Sequence, residues 1–321
     1  MVNSIRPVCV FLDKLSIDCN DLDLSAITTA TDLTLYDRSS AGDVISRASD
    51  AEIIITNKVI FERIQIEQLP KLKLICVIAT GTNNIDFQAA ADHNIKVCNV
   101  KDYAAASVSQ HVLMLILSLS SSFLKYQQDI KQGQWQNQDQ FCLLSHPIQV
   151  LQDKTIGLIG YGHIAKAVEN LAIAFGMKVL ISRSISCPDT EQTGRLPLHD
   201  ILKQSDFISL HCPLTDLSEN LIGMAEFETM KKSAYIINTA RGGIINEVDL
   251  LKALKAGLIA GAGLDCLSQE PPLPDDLLIT AGLAQLIITP HNAWGTHQAR
   301  QKLVDGTTEN IINYISGKSR H

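Results

Sequence analysis

Thr155-Ile156-Gly157-Leu158-Ile159-Gly160-Tyr161-Gly162-His163-Ile164-Ala165 is the stretch of sequence that decides the fold. An apolar run, predicted as a buried strand, leads directly into two glycines, and a helical pattern from Lys166 to Phe175 follows. A glycine turn between a buried strand and a helix is typical of the first unit of a doubly wound α/β sheet. A G-x-G-x-x-G/A string alone is a weak signal, but here both flanking elements occupy the places that the motif requires.

The residues of this turn predict a binding site for the phosphates of a dinucleotide. Gly160 permits the tight turn, Gly162 lets a pyrophosphate approach the backbone, and Ala165 allows the helix to pack closely on the strand. The backbone N–H groups at the start of the helix, around His163 and Ile164, then face the phosphates. The alternative is a glycine turn that binds no ligand.

Short apolar runs rich in β-branched residues alternate with helical patterns along most of the chain. Continuous apolar strands separated by helices indicate parallel sheets that are covered on both faces. The predicted strands are Val8–Leu12, Ile53–Thr56, Leu74–Ile78, Ile156–Ile159, Val179–Ile181, Phe207–Leu210 and Tyr235–Ile237. We therefore predict an α/β fold made of two doubly wound, Rossmann-like domains.

Three longer segments lie outside these two series of strands. The sequence predicts a helix from Ala105 to about Lys131, a Gln- and Asn-rich loop from Gln132 to Gln140, and a helix from Thr296 to Ile315. The last helix follows the final strand of the second series, so it can return to the first domain.

Composition and charge exclude several classes of protein. A chain of 321 residues suggests about two domains, and 46% apolar with 19% charged residues is the balance of a globular protein. The net charge is −7 and the basic residues are scattered, so the positive stripe that a nucleic-acid-binding protein needs is missing.

Membrane and metal sites are not predicted either. The most apolar stretch, Val112–Leu124, contains four serines and falls short of the ~20 residues that span a bilayer. The N-terminus has no secretory signal pattern, and the eight cysteines and the histidines lack metal-ligand spacing. We expect reduced thiols in a cytoplasmic protein without a bound metal.

The end of the strand Val179–Ile181 carries the residues expected to read the adenosine ribose. A site for NAD normally has Asp or Glu there, about 20 residues after the glycines. This sequence has Ser182-Arg183-Ser184 instead, without a carboxylate. Arg183, with Ser184 beside it, can hold a 2′-phosphate through charge-assisted hydrogen bonds, so NADP is favoured over NAD. The alternative is an arginine that stacks on adenine while NAD binds.

Three polar residues follow predicted strands further along the chain. Arg241 lies in Asn238–Gly243 after one strand. Gly261–Asp265 is predicted to follow another strand, with Glu270 in the loop beyond it, and His291 follows Ile287–Pro290. Ligands of open α/β sheets bind at the carboxyl ends of the strands, so these three side chains are candidates for one site.

At these motifs the chain resembles the D-isomer-specific 2-hydroxyacid dehydrogenases over nearly its whole length. The matching segments are Ala79–Asp86, Gly157–Val168, Asn238–Pro272 and Thr289–Arg300. Within that family, Thr80–Asp86, Ser107–His111 and His291–Trp294 are most similar to the hydroxypyruvate reductase or glycerate dehydrogenase group. The resemblance implies a flavodoxin-like substrate domain of residues 1–103 and 293–321, a dinucleotide-binding domain of residues 104–292, and a homodimer.

The resemblance also implies a reaction in which hydride passes from nicotinamide to the keto carbon of a small 2-keto acid. His291 would donate a proton to the oxygen, a contribution of typically ~10²–10⁴ in rate. Glu270 would hydrogen-bond the imidazole, orient it and favour its protonated form. Arg241 would bind the carboxylate and polarise the carbonyl.

The remaining implied contacts are to the cofactor and the substrate carboxylate. The cofactor contacts are Gly160, Gly162, His163, Ile164, Arg183, Ser184, Cys212, Pro213, Thr239, Ala240 and Asp265, and the substrate contacts are Thr80, Gly81, Thr82 and Arg241. His111 is either a cofactor contact or an ordinary helix residue, and His297 is expected to be structural.

Three functions stay open at this point. The first is a hydroxypyruvate or glyoxylate reductase that acts reversibly on D-glycerate or glycolate. The second keeps the mechanism but takes pyruvate, a branched keto acid or phosphohydroxypyruvate. The third is a nucleotide-sensing interaction protein that resembles the C-terminal-binding-protein corepressors, which share this fold.

Overall fold

The computed structural model describes residues 6–186 and 193–317 of the chain. The described residues form two compact units, one within Met1–Tyr103 and Gly295–His321 and the other within Ala104–Trp294. The roles that the sequence assigns to these two parts of the chain stay predictions.

The first unit contains five strands, five α-helices and two short 3₁₀ helices in its described part. Its elements are β1 (Val8–Phe11), a 3₁₀ helix (Lys14–Ser16), α1 (Ser25–Ala30), β2 (Asp32–Leu35), a 3₁₀ helix (Ala41–Asp43), α2 (Val44–Ala48), β3 (Ile53–Thr56), α3 (Arg63–Glu67), β4 (Leu74–Val77), α4 (Phe87–Asp92), β5 (Lys96–Asn99) and, after the second unit, the helix numbered α11 (His297–Ile315).

The sheet of the first unit is parallel throughout, with the strand order β2-β1-β3-β4-β5. This is the flavodoxin-like order of a doubly wound sheet. All residues of β3 and β4 are buried, because these central strands are covered on both faces. The order agrees with the predicted fold class.

Helix α11 completes the first unit although it follows the second unit in sequence. It packs against β4 and α1, and Leu303, Val304 and Ile311 are buried. Arg300 makes two contacts of 2.7 Å with the Asp21 carboxylate, which hold the pKa of that carboxyl well below its usual range. Helix α11 is therefore one of the helices that pack on the first sheet.

The second unit contains six strands and six α-helices in its described part. Its elements are α5 (Ala105–Ser120), α6 (Phe123–Lys131), β6 (Thr155–Ile159), α7 (His163–Ala174), β7 (Lys178–Ile181), α8 (Leu198–Gln204), β8 (Phe207–Leu210), α9 (Met224–Thr229), β9 (Tyr235–Asn238), α10 (Glu247–Ala256), β10 (Gly261–Leu264) and β11 (Leu286–Ile288).

The second sheet is also parallel, with the order β11-β10-β9-β8-β6-β7. Alternate residues of its strands enter two separate cores: Ile236 packs with residues of α8, α9 and α10, and Ile237 with residues of α5 and α7. The direction of winding reverses between β6 and β8, and such a switch point is where open α/β sheets bind ligands. The fold class predicted from the sequence is confirmed.

Some elements differ from those predicted. The pattern Ala105–Lys131 forms two helices with a 58° bend, because Ser122 adopts φ 52° and interrupts the helix. The strands β2 and β5 were not predicted, and Gly261–Leu264, expected to follow a strand, itself forms β10, because its small residues fit between β9 and β11. Among the described residues no single helix is long and apolar enough to cross a bilayer; α5 and α6 pass that test only when taken together.

Candidate active site at the carboxyl edge of the second sheet

The glycine turn after β6 lies against the end of β8. Gly160 has φ 85°, and a Cβ there would lie 2.6 Å from the backbone N of Cys212, so only glycine fits. Gly162 caps α7, and a Cβ there would meet no described atom within 4 Å. Ala165 is fully buried between helix and sheet. The turn therefore leaves open space beside Gly162, where the motif places a pyrophosphate.

The residues expected to read the ribose follow β7. Ser182 forms a parallel bridge with Leu196, and the Arg183 backbone N–H donates to the Leu196 carbonyl at 2.8 Å. The Arg183 Nε is buried and has no hydrogen-bond partner among the described residues. Leaving a buried guanidinium N–H without a hydrogen-bond partner costs free energy. An anionic ligand that accepts a hydrogen bond from this N–H would remove that cost.

The loop after β8 forms the other side of the switch point. Burial lowers the pKa of His211 to about 4, and its Nε2 lies 2.9 Å from the Ser209 hydroxyl. Cys212 is buried, which raises the pKa of its thiol to about 11, so this cysteine is an unreactive thiol at neutral pH. Pro213 is exposed.

The loop after β9 carries Arg241. Asn238 holds the turn, because its side chain accepts from the Ala240 N–H at 3.0 Å and donates to the Arg241 carbonyl at 2.8 Å. The Thr239 hydroxyl is buried and has no partner among the described residues. Arg241 itself is exposed, and its Nη1 donates to the Ala240 carbonyl at 2.6 Å.

Gly242 joins this loop to the one that carries Glu270. A Cβ on Gly242 would lie 1.9 Å from the carbonyl oxygen of Leu267 and 2.5 Å from the backbone N of Ser268. In the same segment, the Leu267 N–H donates to Glu270 Oε1 at 2.9 Å. The two loops are thus in direct backbone contact.

Glu270 and His291 form the central pair of the site. Glu270 Oε2 lies 2.6 Å from His291 Nδ1, and each side chain is 35% exposed. With Nδ1 bound to the carboxylate, Nε2 is the ring nitrogen left to serve a substrate. The geometry is that of a proton donor oriented by a carboxylate.

Asp265 fixes the backbone on which His291 sits. This carboxylate is 1% exposed and accepts from the backbone N–H groups of Asn292 at 3.0 Å and Ala293 at 2.9 Å. It also accepts from the Thr289 hydroxyl at 2.6 Å. Asp265 therefore binds residues on both sides of His291.

The first unit carries the three predicted substrate contacts. The Thr80 hydroxyl donates to the Val100 carbonyl at 3.0 Å, and the Asn99 side chain donates to the Thr80 carbonyl at 2.7 Å. The Thr82 carbonyl accepts from the Ile85 N–H at 3.1 Å. Thr80, Gly81 and Thr82 thus lie in an ordered loop beyond the carboxyl end of β4, and their binding role stays a prediction.

The structure brings together only part of the predicted set directly. Glu270 and His291 are in contact. The loop that carries Arg241 approaches the loop that carries Glu270 through the backbone contact at Gly242. His111, for which the sequence left a cofactor contact and an ordinary helix residue open, contacts Thr289, a residue without a predicted role: its Nε2 lies 2.9 Å from the Thr289 hydroxyl. No sequence signal pairs them, since they are 178 residues apart. His297 contacts the Asp21 carbonyl in the first unit, at 2.9 Å.

The described part of the second unit fits a dinucleotide cofactor. The open face of Gly162 and the unpartnered buried donors of Arg183 and Thr239 are features that such a ligand would occupy or satisfy. No group of three or more His, Cys, Asp or Glu side chains suited to a metal ion occurs among the described residues.

Comparisons with known proteins identify the family of the chain. Residues 113–293 match the family model described as "D-isomer specific 2-hydroxyacid dehydrogenase, NAD binding domain". The chain is 39% identical to a glycerate dehydrogenase of Methylorubrum extorquens, with 97% of each chain covered. It is 36% identical to a hydroxypyruvate reductase of Blautia hydrogenotrophica, over 96% of this chain and 97% of that protein.

Solved structures show the same fold with either nicotinamide cofactor. An acyclic imino acid reductase in complex with NADPH and D-Arg has a TM-score of 0.82 at 28% identity, with 97% of this chain and 98% of that chain covered. A D-lactate dehydrogenase with NAD⁺ from Lactobacillus jensenii has a TM-score of 0.80 at 26% identity, with 98% of each chain covered.

Proposed function

The chain belongs to the D-isomer specific 2-hydroxyacid dehydrogenase family, and from that premise we propose that it reduces hydroxypyruvate or glyoxylate to D-glycerate or glycolate. The observation that carries the proposal is the 2.6 Å contact between Glu270 Oε2 and His291 Nδ1 at the carboxyl edge of the second sheet. The names of the relatives that cover nearly the whole chain support the choice of substrate.

In this proposal His291 is the proton donor. Its Nε2 gives a proton to the keto oxygen, which becomes the hydroxyl of the product, and it takes the proton back in the reverse direction. Glu270 keeps the ring oriented through Nδ1, and Asp265 keeps the backbone of the loop in place. A nicotinamide cofactor, when bound, would supply the hydride for this reduction.

Arg241 has the chemistry to bind the substrate carboxylate. A guanidinium forms paired hydrogen bonds with a carboxylate and stabilises negative charge that develops on a nearby oxygen. Arg241 is exposed and engages only a backbone carbonyl in the described contacts, so moving it onto a substrate sacrifices little. This availability supports its proposed role.

We propose that NADP is preferred over NAD. Arg183 occupies the place where a carboxylate would accept the ribose hydroxyls of NAD, and its buried Nε has no partner among the described residues. A 2′-phosphate would satisfy this donor and neutralise the guanidinium. Ser184 follows directly and supplies a hydroxyl.

We also propose that the protein is a homodimer. The segment of residues 141–150 exposes Phe141 (91%), Leu144 (75%) and Val150 (74%). Hydrogen bonds hold this segment on α6: Asp129 binds Ser145 and His146, and the Tyr126 hydroxyl donates to the His146 carbonyl at 2.7 Å. A fixed apolar surface of this kind is typical of an interface, and a second copy is its proposed occupant.

Free thiols support the expected cytoplasmic location. All seven cysteines of the described residues are unpaired, and Cys187 lies outside them. Disulfides form and persist in oxidising compartments, so unpaired cysteines fit a reducing one.

The test is an assay of reduced nicotinamide consumption with hydroxypyruvate, glyoxylate and pyruvate in parallel. We expect hydroxypyruvate or glyoxylate to give a kcat/KM at least about tenfold above that for pyruvate, since a polar pocket that fits one substrate discriminates against its analogues. A higher kcat/KM for pyruvate would show that the proposed substrate is wrong and would leave the proposed mechanism unchanged. No turnover with any of the three would overturn the proposed reaction.

A further inference from the structure

A partly buried chain of hydrogen bonds runs from α5 to the loop that carries His291. The His111 Nε2 lies 2.9 Å from the Thr289 hydroxyl, and that hydroxyl lies 2.6 Å from Asp265 Oδ1. The distance from His111 Nε2 directly to Asp265 Oδ1 is 3.6 Å, so Thr289 is the bridge between them. The mechanism described above uses neither His111 nor Thr289.

The direction of these bonds follows from the distances. A separation of 2.6 Å is the length of a hydroxyl donating to a carboxylate, so the single Thr289 proton points at Asp265. The Thr289 oxygen is then an acceptor, and His111 must donate from Nε2. Burial of its ring lowers the pKa of His111, although the Asp265 charge opposes the shift, so the ring is the neutral Nε2–H tautomer at neutral pH.

A second contact from α5 reaches the same loop. The Ser107 hydroxyl donates to the Ala293 carbonyl at 2.6 Å. Ser107 and His111 are four residues apart, so they lie on one face of the helix. Their contacts fall on Thr289 and Ala293, the residues that flank the proton donor at equal distance in sequence.

We propose that His111 is a positioning residue for His291 and acts on it through Thr289 and Asp265. The proposal rests on the proposed role of His291 as proton donor. Without the His111 donor, no hydrogen bond polarises the Thr289 hydroxyl, so its own bond to Asp265, one of those that hold Asp265 beneath the loop, weakens. The keto oxygen then receives its proton from a less well placed ring, so the chemical step slows while ligands still bind.

The experiment compares His111→Leu, which keeps bulk but removes the donor, with His111→Gln, whose side-chain amide can donate from a similar position. At saturating cofactor we expect kcat to fall about tenfold in His111→Leu, the size expected for one lost hydrogen bond. The KM for the keto acid and the Kd for the cofactor should stay within about twofold. His111→Gln should recover most of kcat, and Gln110→Leu, on the exposed side of α5, is the matched control.

Thr289→Val removes the hydroxyl that bridges His111 and Asp265 with almost no change in side-chain volume. It also tests the proposal if His111→Leu does not fold. Thr289→Val should lower kcat by a similar factor, Thr289→Ser should restore it, and the double variant His111→Leu/Thr289→Val should be no slower than the slower single variant. Additive losses, or an unchanged kcat in both single variants, would overturn the positioning role. His291→Ala separates the two proposals: if it keeps full kcat, the proposed function fails; if it alone loses kcat, only the role of His111 fails.

Discussion

The imidazole of His291 is fixed from two directions. Glu270 binds Nδ1 at 2.6 Å, and Asp265 binds the backbone on the far side of the residue. His291 also adopts φ 50°, a left-handed conformation that costs a non-glycine residue about 1–2 kcal/mol. Local preference alone would not hold this geometry, so the surrounding hydrogen bonds must do so, which is common at functional sites.

His291→Ala gives the sharpest test at the scale of a single residue. If His291 is the proposed proton donor, its loss should lower kcat by about 10²–10⁴. The Kd of the cofactor should stay within about twofold, because the contact removed acts on the reacting oxygen. Steady-state kinetics and cofactor titration measure both, with the exposed His199→Ala as control. A variant that turns over at the wild-type rate would remove His291 from the mechanism.

Arg183→Asp tests the choice of cofactor. Exchanging the cation for a carboxylate removes the proposed charge-assisted contacts to a 2′-phosphate and supplies an acceptor for ribose hydroxyls. The ratio of kcat/KM for NADPH to that for NADH should fall at least about tenfold, as expected for a hydrogen bond to a charged group. Arg38→Asp, an exposed arginine of the first unit, is the control. An unchanged ratio would show that Arg183 does not read the phosphate.

At the scale of elements, the sequence predicts the three central strands of the first sheet well and its two edge strands poorly. β3 and β4 are continuous apolar runs and were predicted within one residue of their ends. β2 and β5 lie at the two edges of the first sheet and are largely accessible, so polar residues interrupt their short sequences and no continuous apolar run marks them. The bend at Ser122 was missed because its surroundings read as uninterrupted helix.

The same limit applies to the site. The glycine turn, Arg241, Glu270 and His291 could be singled out because each sits in a short motif that resembles the family, and their roles stay predictions. The bonds of Asp265 to Thr289, Asn292 and Ala293 could not, since they join loops that follow different strands. Only the register of β10 and β11 in the sheet brings those loops together.

Two glycines of the loops at this sheet edge should respond differently to alanine. In Gly162→Ala the Cβ meets no described atom within 4 Å, so the free energy of unfolding should change by no more than about 1 kcal/mol, while cofactor affinity falls at least about tenfold. In Gly242→Ala the Cβ would lie 1.9 Å from the Leu267 carbonyl, so the loops must separate. That variant should lose several kcal/mol of stability as well as activity. Urea unfolding measures the stability of both variants, and cofactor titration measures their cofactor affinity. An equal loss of stability in the two variants would contradict the prediction.

For the whole molecule, the apolar segment of residues 141–150 predicts the oligomeric state. Light scattering should give about twice the 35.1 kDa mass of the chain. Phe141→Asp combined with Leu144→Asp should give monomers, since two charges cannot be buried in an apolar interface without a large cost. Phe87→Asp is the control, because Phe87 is also exposed (52%) but lies on α4. A monomeric wild type would contradict the proposal.

His211 predicts a pH dependence of the stability of the molecule. Burial lowers its pKa to about 4 from an ordinary value of 6.5. Between these values the unfolded chain binds a proton that the folded chain does not, so the free energy of unfolding falls as the pH falls through this window, by roughly 3 kcal/mol in total. As the pH is lowered from 6.5 to 4, the urea midpoint should therefore fall more steeply for the wild type than for His211→Gln. The carboxylates titrate in both proteins, so their effect cancels in the comparison. Parallel curves would refute the assignment.

Helix α11 covers the first sheet, yet it is the last helix of the described chain. During synthesis, about 190 residues must be added between the end of the first segment at Tyr103 and the start of the second at Gly295. At ~5–20 residues per second the ribosome takes about 10 to 40 seconds over this distance. Throughout that interval the nascent first sheet lacks part of its apolar cover, whereas the second unit has all its strands before α11 is made. The order of translation therefore favours folding of the second unit first, and leaves the first sheet as the part most in need of a chaperone.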